Sequence, residues 1–323
     1  MTPIKVLDPK KVNIVFFGTP EFAAHQLEVL INEHYNVVAV VTGPDRGAGR
    51  GQKTKPSAVK ELALAHEIKI FQPPNLKDET FINSLAQIKA QLFVVVAFRM
   101  LPKLVWSIPE YGTFNLHASL LPDYRGAAPI NWALINGEKK TGVSTFLIDH
   151  KIDTGDVLLQ EEVEIKKEDD LKSLHDKLML LGGPLITKTI KGLVEGSVVA
   201  KKQKQNLNLK SAPKLNHENT KIDWKQNGGH IESLIKGLSP YPAAWTHFVE
   251  DDQIFRLKIY KATYLNQKHQ LQAGYFDIKD QKINIAVPDG YIVVDELQFP
   301  NKKRMNVKDL LNGRKLKENA FFE

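Results

Sequence analysis

Hydrophobic residues in the first two hundred positions come in two alternating textures. Val12-Asn13-Ile14-Val15-Phe16-Phe17 is a short apolar run of the kind that forms a strand buried on both faces. It leads into Gly18-Thr19-Pro20, which supplies a tight turn, a helix cap and a proline suited to the first helical position. Phe22, Ala23, Leu27, Leu30 and Ile31 then recur at helical spacing, predicting a helix from Pro20 to about His34. The same reading predicts strands at 37–41, 68–71 and 92–97, and helices from about Pro56 and over 77–88. A long amphipathic segment spans about 169–193. This alternation predicts an α/β architecture: a Rossmann-like, doubly wound, mostly parallel sheet.

The texture changes past residue 196. A polar stretch containing Lys201-Lys202-Gln203-Lys204-Gln205-Asn206 reads as a solvated linker. Beyond it, short alternating runs such as 255–260, 283–287 and 291–294 are separated by Asp, Gly and Pro, predicting a small OB-like β-barrel. The expected organisation is therefore a first domain over 1–196, a linker over 197–211 and a second domain over 212–323. A chain of 323 residues with 42% hydrophobic and 25% charged positions is long enough for two such cores.

Charge separates the two parts. Residues 1–200 carry 23 basic and 23 acidic side chains, whereas 201–323 carry 21 and 14, so the whole net charge of +7 comes from the second part. Such an excess suits a polyanionic partner as well as a solubility role. The chain has no cysteine, which excludes disulfides, thiolate metal sites and cysteine nucleophiles and suits a reducing compartment. The longest apolar run, 92–98, is far short of the roughly 20 residues that cross a bilayer. With no apolar signal core in the first eleven residues, the expected location is cytoplasmic.

Several chemistries lack their motifs. The turn after the first strand has neither the second nor the third glycine of a dinucleotide fingerprint, and there is no Walker loop, zinc-type His/Glu pair or serine elbow. What stands out is the stretch 115–132. Asn115 and His117 sit two apart in a strand and so share a face. Farther along, Asp149, Asp153 and Asp156 crowd a loop from which a carboxylate could return to that face. Amide, imidazole and carboxylate together suit acyl transfer, although a structural histidine and a turn-forming aspartate would produce the same pattern.

The pattern Asn115-x-His117, with Ser119-Leu120-Leu121-Pro122, Tyr124-Arg125-Gly126-Ala127-Ala128-Pro129-Ile130 and Asp153-Thr154-Gly155-Asp156, resembles the 10-formyltetrahydrofolate-dependent formyltransferases. Gly18–Phe22, Pro44–Gly51, Ala212–Leu215, Ile222–Trp224 and the stretch from Glu296 to Met305 extend the similarity to members whose acceptor is methionyl initiator tRNA. The resemblance implies Asn115, His117 and Asp153 as the catalytic trio, and a folate site lined by Ser119, Leu120, Leu121 and Pro122 with Phe98, Arg99, Met100 and Leu101. It implies no metal and no nucleotide cofactor. Phe98-Arg99-Met100 departs from the tyrosine and glycine that many members carry there.

For the tRNA, the resemblance points to the basic segment 45–60 through Arg46, Arg50, Lys53 and Lys55, and to Lys302, Lys303 and Arg304 of the second domain, with a monomer as the default state. Three alternatives stay open: a formyltransferase for a small amine such as an amino-sugar nucleotide, a formyl-folate hydrolase, and an RNA-binding protein without activity.

Overall fold

The computed structural model describes residues 8–48, 53–204, 208–317 and 319–323. In chain order the elements begin β1 (Ile14–Gly18), α1 (Glu21–Asn32), β2 (Val37–Val41), β3 (Arg46–Ala48), β4 (Lys53–Lys55), α2 (Ala58–Ala65), β5 (Lys69–Phe71), α3 (Glu79–Gln87), β6 (Leu92–Val96) and α4 (Lys103–Trp106). They continue with β7 (Thr113–His117), β8 (Arg125–Gly126), α5 (Pro129–Ile135), β9 (Lys140–Leu147), β10 (Val157–Glu164) and α6 (Leu171–Glu195). The remainder comprises β11 (Ser211–Ala212), α7 (Gly228–Leu238), β12 (Ala244–Glu250), β13 (Gln253–Leu265), β14 (Phe276–Lys279), β15 (Lys282–Val287), β16 (Gly290–Gln298), β17 (Met305–Asn306), α8 (Val307–Gly313) and β18 (Phe321–Phe322).

Contacts divide the chain into two compact units. The first takes 1–126, 141–163 and 176–211; the second takes 127–140, 164–175 and 212–323. Helix α5 thus belongs to the second unit, where Ile135 is buried in its core beside Trp132.

The first unit is built on a sheet of order β10-β9-β7-β6-β1-β2-β5. Strands β7, β6, β1, β2 and β5 are mutually parallel, and β9 runs antiparallel to β7. All five residues of β1 and of β6 are buried, as an unbroken apolar run requires of a strand covered on both faces. Gly18 pairs with Val96 and Val96 with Leu116, so the segments leaving β1, β6 and β7 emerge at one edge. That edge is where parallel sheets present their ligand sites.

Thr19 departs from the expected capping role. Pro20 occupies the N-cap position with no side-chain cap, and Thr19 Oγ1 instead accepts from the Gly43 N–H at 3.3 Å, tying the β1 turn to the segment after β2. The stretch read as a solvated linker is also pinned. Lys201 pairs through its backbone with Val157, and the Lys210 N–H donates to Asp123 Oδ1 at 3.0 Å. A polar strap and a solvated tether have the same composition, so only the partner loops distinguish them.

The second unit is an antiparallel half-barrel of order β14-β15-β16-β13-β12-β18, with β17 pairing to β16. The ends of this sheet meet at Gly274, which donates to Ala286 O at 2.9 Å and accepts from the Phe322 N–H at 2.8 Å. Gly274 has φ +87°, and a Cβ there would lie 2.2 Å from the Phe322 oxygen, so only glycine closes this seam. Phe248, Phe276, Phe299 and Phe322 pack edge-on and tilted inside it.

Candidate active site

Strand β7 carries Asn115 and His117 at alternate positions, so both project from one face, while Phe114 and Leu116 bury the other. His117 is 6% exposed and rests edge-on against Phe146, ring centroids 6.4 Å apart. Its Nε2 lies 2.8 Å from the main-chain oxygen of Tyr124. A carbonyl can only accept, so Nε2 carries a proton, and Nδ1 is the nitrogen that faces the site. Nδ1 lies 3.8 Å from Asp153 Oδ2, within ion-pair range and beyond direct hydrogen-bond range. The side-chain amide of Asn115 has no hydrogen-bond partner among the described residues.

Asp153 arrives on the loop between β9 and β10. Its backbone is in the left-handed region, φ +54°, and its Oδ2 accepts from the Gly126 N–H at 2.9 Å. The loop is braced by Asp149, whose Oδ1 accepts from the Lys151 N–H and whose two oxygens accept from the Thr154 hydroxyl. Gly155 lies against β9 so closely that a Cβ would come within 1.6 Å of the Leu147 oxygen. Of the trio expected from the sequence, His117 and Asp153 are therefore within ion-pair range, and Asn115 lies on the same strand face as His117.

The expected folate residues fall into two groups. Ser119 is fully buried and donates to Asp123 O at 2.7 Å, so it shapes the turn after β7. Leu121 is buried against Phe146 and Val157. Its N–H donates to Ser144 Oγ and its carbonyl accepts from Gln160, which fixes the backbone of Leu120, Leu121 and Pro122. On the neighbouring strand's exit, Phe98 packs edge-on against Phe17, and Arg99 donates to the carbonyls of Pro73 and Pro74. Arg99, Met100 and Leu101 line an open cleft of about 510 Å³ together with residues 74–77, 102 and 103.

The basic segment after β2 is a hairpin at its base: Arg46 pairs with Lys55 and Ala48 with Lys53. Arg50 and the side chains of Arg46 and Lys53 lie outside the described residues, and Lys55 is exposed. Thr42 Oγ1 and Ser57 Oγ, 2.7 Å apart, clamp the hairpin's root, and Asp45 accepts from Lys60 at 2.5 Å and Gln72 at 2.7 Å. The Lys60 and Gln72 hydrogen bonds hold the Asp45 carboxyl below the usual range. In the second unit, Lys302 and Lys303 are exposed, whereas Arg304 pairs with Glu296 and lies over the Tyr260 ring at 4.6 Å.

Gln203 carries no sequence signal beyond the solvated linker expected there. It sits in the polar strap, and no local pattern separates it from its neighbours, yet its side chain reaches the Asp153 loop.

A family model described as formyl transferase matches residues 10–190, and one described as formyl transferase, C-terminal domain, matches 214–315. The methionyl-tRNA formyltransferase of Flavobacterium johnsoniae is 52% identical over 94% of this chain and 96% of its own length. That of Bacteroides fragilis is 47% identical over 95% and 96%. Among solved structures, an N-formyltransferase from Helicobacter canadensis in complex with folinic acid and dTDP-3-aminofucose superposes with TM-score 0.65 at 22% identity, covering 90% of this chain and all of that one. The described residues contain no helix long and apolar enough to cross a membrane and no His/Asp/Glu group fit for a metal ion.

Proposed function

Because the chain belongs to the formyl transferase family, we propose that it moves the formyl group of 10-formyltetrahydrofolate onto the amino group of methionyl initiator tRNA. The observation that carries this reading is near-full-length identity of 46–52% to methionyl-tRNA formyltransferases, in a chain whose His117 lies 3.8 Å from Asp153 and shares a strand face with Asn115. When an amine attacks a formyl carbon, charge develops on the formyl oxygen. The uncommitted Asn115 amide and the inward-facing Nδ1 of His117 are the groups suited to receive it. Asp153 stabilises the proton on Nδ1 and, through water, takes part in moving the amine proton towards the departing folate nitrogen.

The folate donor fits the edge where β6 and β7 end. Apolar Met100 and Leu101 suit a planar ring system, and Lys77 and Lys103 beside the same cleft suit its carboxylates. The hairpin bearing Arg46, Arg50, Lys53 and Lys55, and the turn bearing Lys302 and Lys303, are the surfaces we assign to the tRNA backbone. We place the protein in the cytoplasm, where charged tRNA is used, and take it to act as a monomer.

The test is transfer of labelled formyl to methionyl initiator tRNA, methionyl elongator tRNA and free amino-sugar nucleotides offered together. Label on the initiator methionine alone is the expected result. Label only on a sugar, or only in free formate, overturns the acceptor assignment.

A further inference from the structure

Gln203 uses every hydrogen-bonding position of its side-chain amide. Nε2 donates to the Asp153 carbonyl at 2.9 Å and to the Gly155 carbonyl at 2.7 Å. Oε1 accepts from Arg125 Nε at 3.0 Å and from Nη2 at 2.6 Å. Carbonyls accept only and a guanidinium donates only, so the amide can sit in one orientation. The neighbouring Lys201 is fixed by its backbone pairing to Val157, at the start of β10.

These bonds complete a closed frame. Arg125 immediately precedes Gly126, and the Gly126 N–H donates to Asp153 Oδ2. The carboxylate of Asp153 is thus held by the strand β8, and its backbone is held by a side chain that is itself anchored to the same strand. Asp153 has a left-handed backbone, φ +54°, a conformation that non-glycine residues keep only where surrounding contacts impose it. Without the Gln203 donors, the carbonyls of 153 and 155 lose their amide partner, and the loop is free to relax away from His117.

We infer that Gln203 is a positioning residue: by clamping the Asp153 loop to Arg125 it sets the placement of the Asp153 carboxylate opposite His117. This rests on the proposed role of Asp153. A small misplacement of a reacting group is enough to lower turnover by about tenfold to a hundredfold.

The test is a double-mutant cycle read in steady-state formyl transfer. Gln203→Met removes donors and acceptor with little change in size, and is expected to lower kcat at least tenfold while both KM values stay within twofold. In an Asp153→Asn background the same substitution is expected to change kcat less than twofold, because the group it positions has already been neutralised. An equal loss in both backgrounds, an unchanged kcat, or a rise in KM alone overturns the inference. If Gln203→Met does not fold, Gln203→Glu decides: it keeps the acceptor for Arg125 and lacks the donors, so wild-type kcat in that variant overturns the inference. Asp153→Asn alone separates the two readings. If it leaves turnover intact, the site assignment fails; if it abolishes turnover while Gln203→Met does not lower it, only the role of Gln203 fails.

Discussion

The main-chain oxygen of Tyr124 and the Nε2 of His117 are 2.8 Å apart, and this contact decides which face of the imidazole works. With Nε2 committed to a carbonyl, the proposed chemistry falls to Nδ1 and to the Asn115 amide on the same strand face. His117→Ala and Asn115→Ala should each cut kcat by about 10²–10³, the usual cost of removing one donor to a developing oxyanion. Asn115→Ala should leave the melting temperature unchanged, since no partner among the described residues is lost. Turnover within threefold of wild type for either variant would reject the assignment.

Asp153 combines a structural and an electrostatic role, and two substitutions separate them. Asp153→Asn still offers an oxygen to the Gly126 N–H and should fold normally while losing most activity. Asp153→Ala leaves that N–H without its acceptor and should also lower stability, by about 1–3 kcal/mol. Equal melting temperatures for the two variants would contradict this division.

At Gly155 no side chain can be accommodated, because the Cβ would meet the Leu147 oxygen at 1.6 Å. Gly155→Ala should therefore destabilise by about 1–3 kcal/mol or more in chemical denaturation and displace the Asp153 loop with it. A variant that unfolds at the wild-type denaturant midpoint rules this out.

The Asp45 carboxyl is held low by its hydrogen bonds to Lys60 and Gln72. A carboxylate depressed in the folded state stabilises above its ordinary value, near about 3.9, and the contribution is lost as pH falls through the lowered one. Amide-exchange protection of the 46–48 and 53–55 hairpin should therefore persist from neutral pH down through the usual carboxylate range and fail only in stronger acid. Asp45→Asn should lose protection already at pH 7; identical profiles in the two proteins would remove Asp45 as the hairpin's anchor.

Charge that is already paired contributes less to RNA binding than charge that is free. Lys302→Ala and Lys303→Ala should each lower the salt slope of tRNA binding by up to about 1, if each lysine meets one phosphate. Arg304→Ala should change it less, because Glu296 already neutralises that guanidinium. The reverse ranking in a salt titration would point to Arg304 as the phosphate contact.

The sequence by itself determined the parallel sheet. Runs such as Phe93–Val96 are apolar at every position, and only a strand covered on both faces can bury them. It also determined that Asn115 and His117 share a face, because the two-residue period of a strand is local geometry. Tertiary structure alone decided the rest. That Asp153 returns to His117 depends on a loop closed by Gly126, Gly155 and Gln203, the first and last lying 27 and 50 residues away in sequence. That α5 packs within the second unit, and that a polar strap is pinned at Lys201 and Gln203, are pairings between distant segments. Local composition is the same whether a glutamine faces water or two carbonyls, and only the folded chain brings those carbonyls within reach.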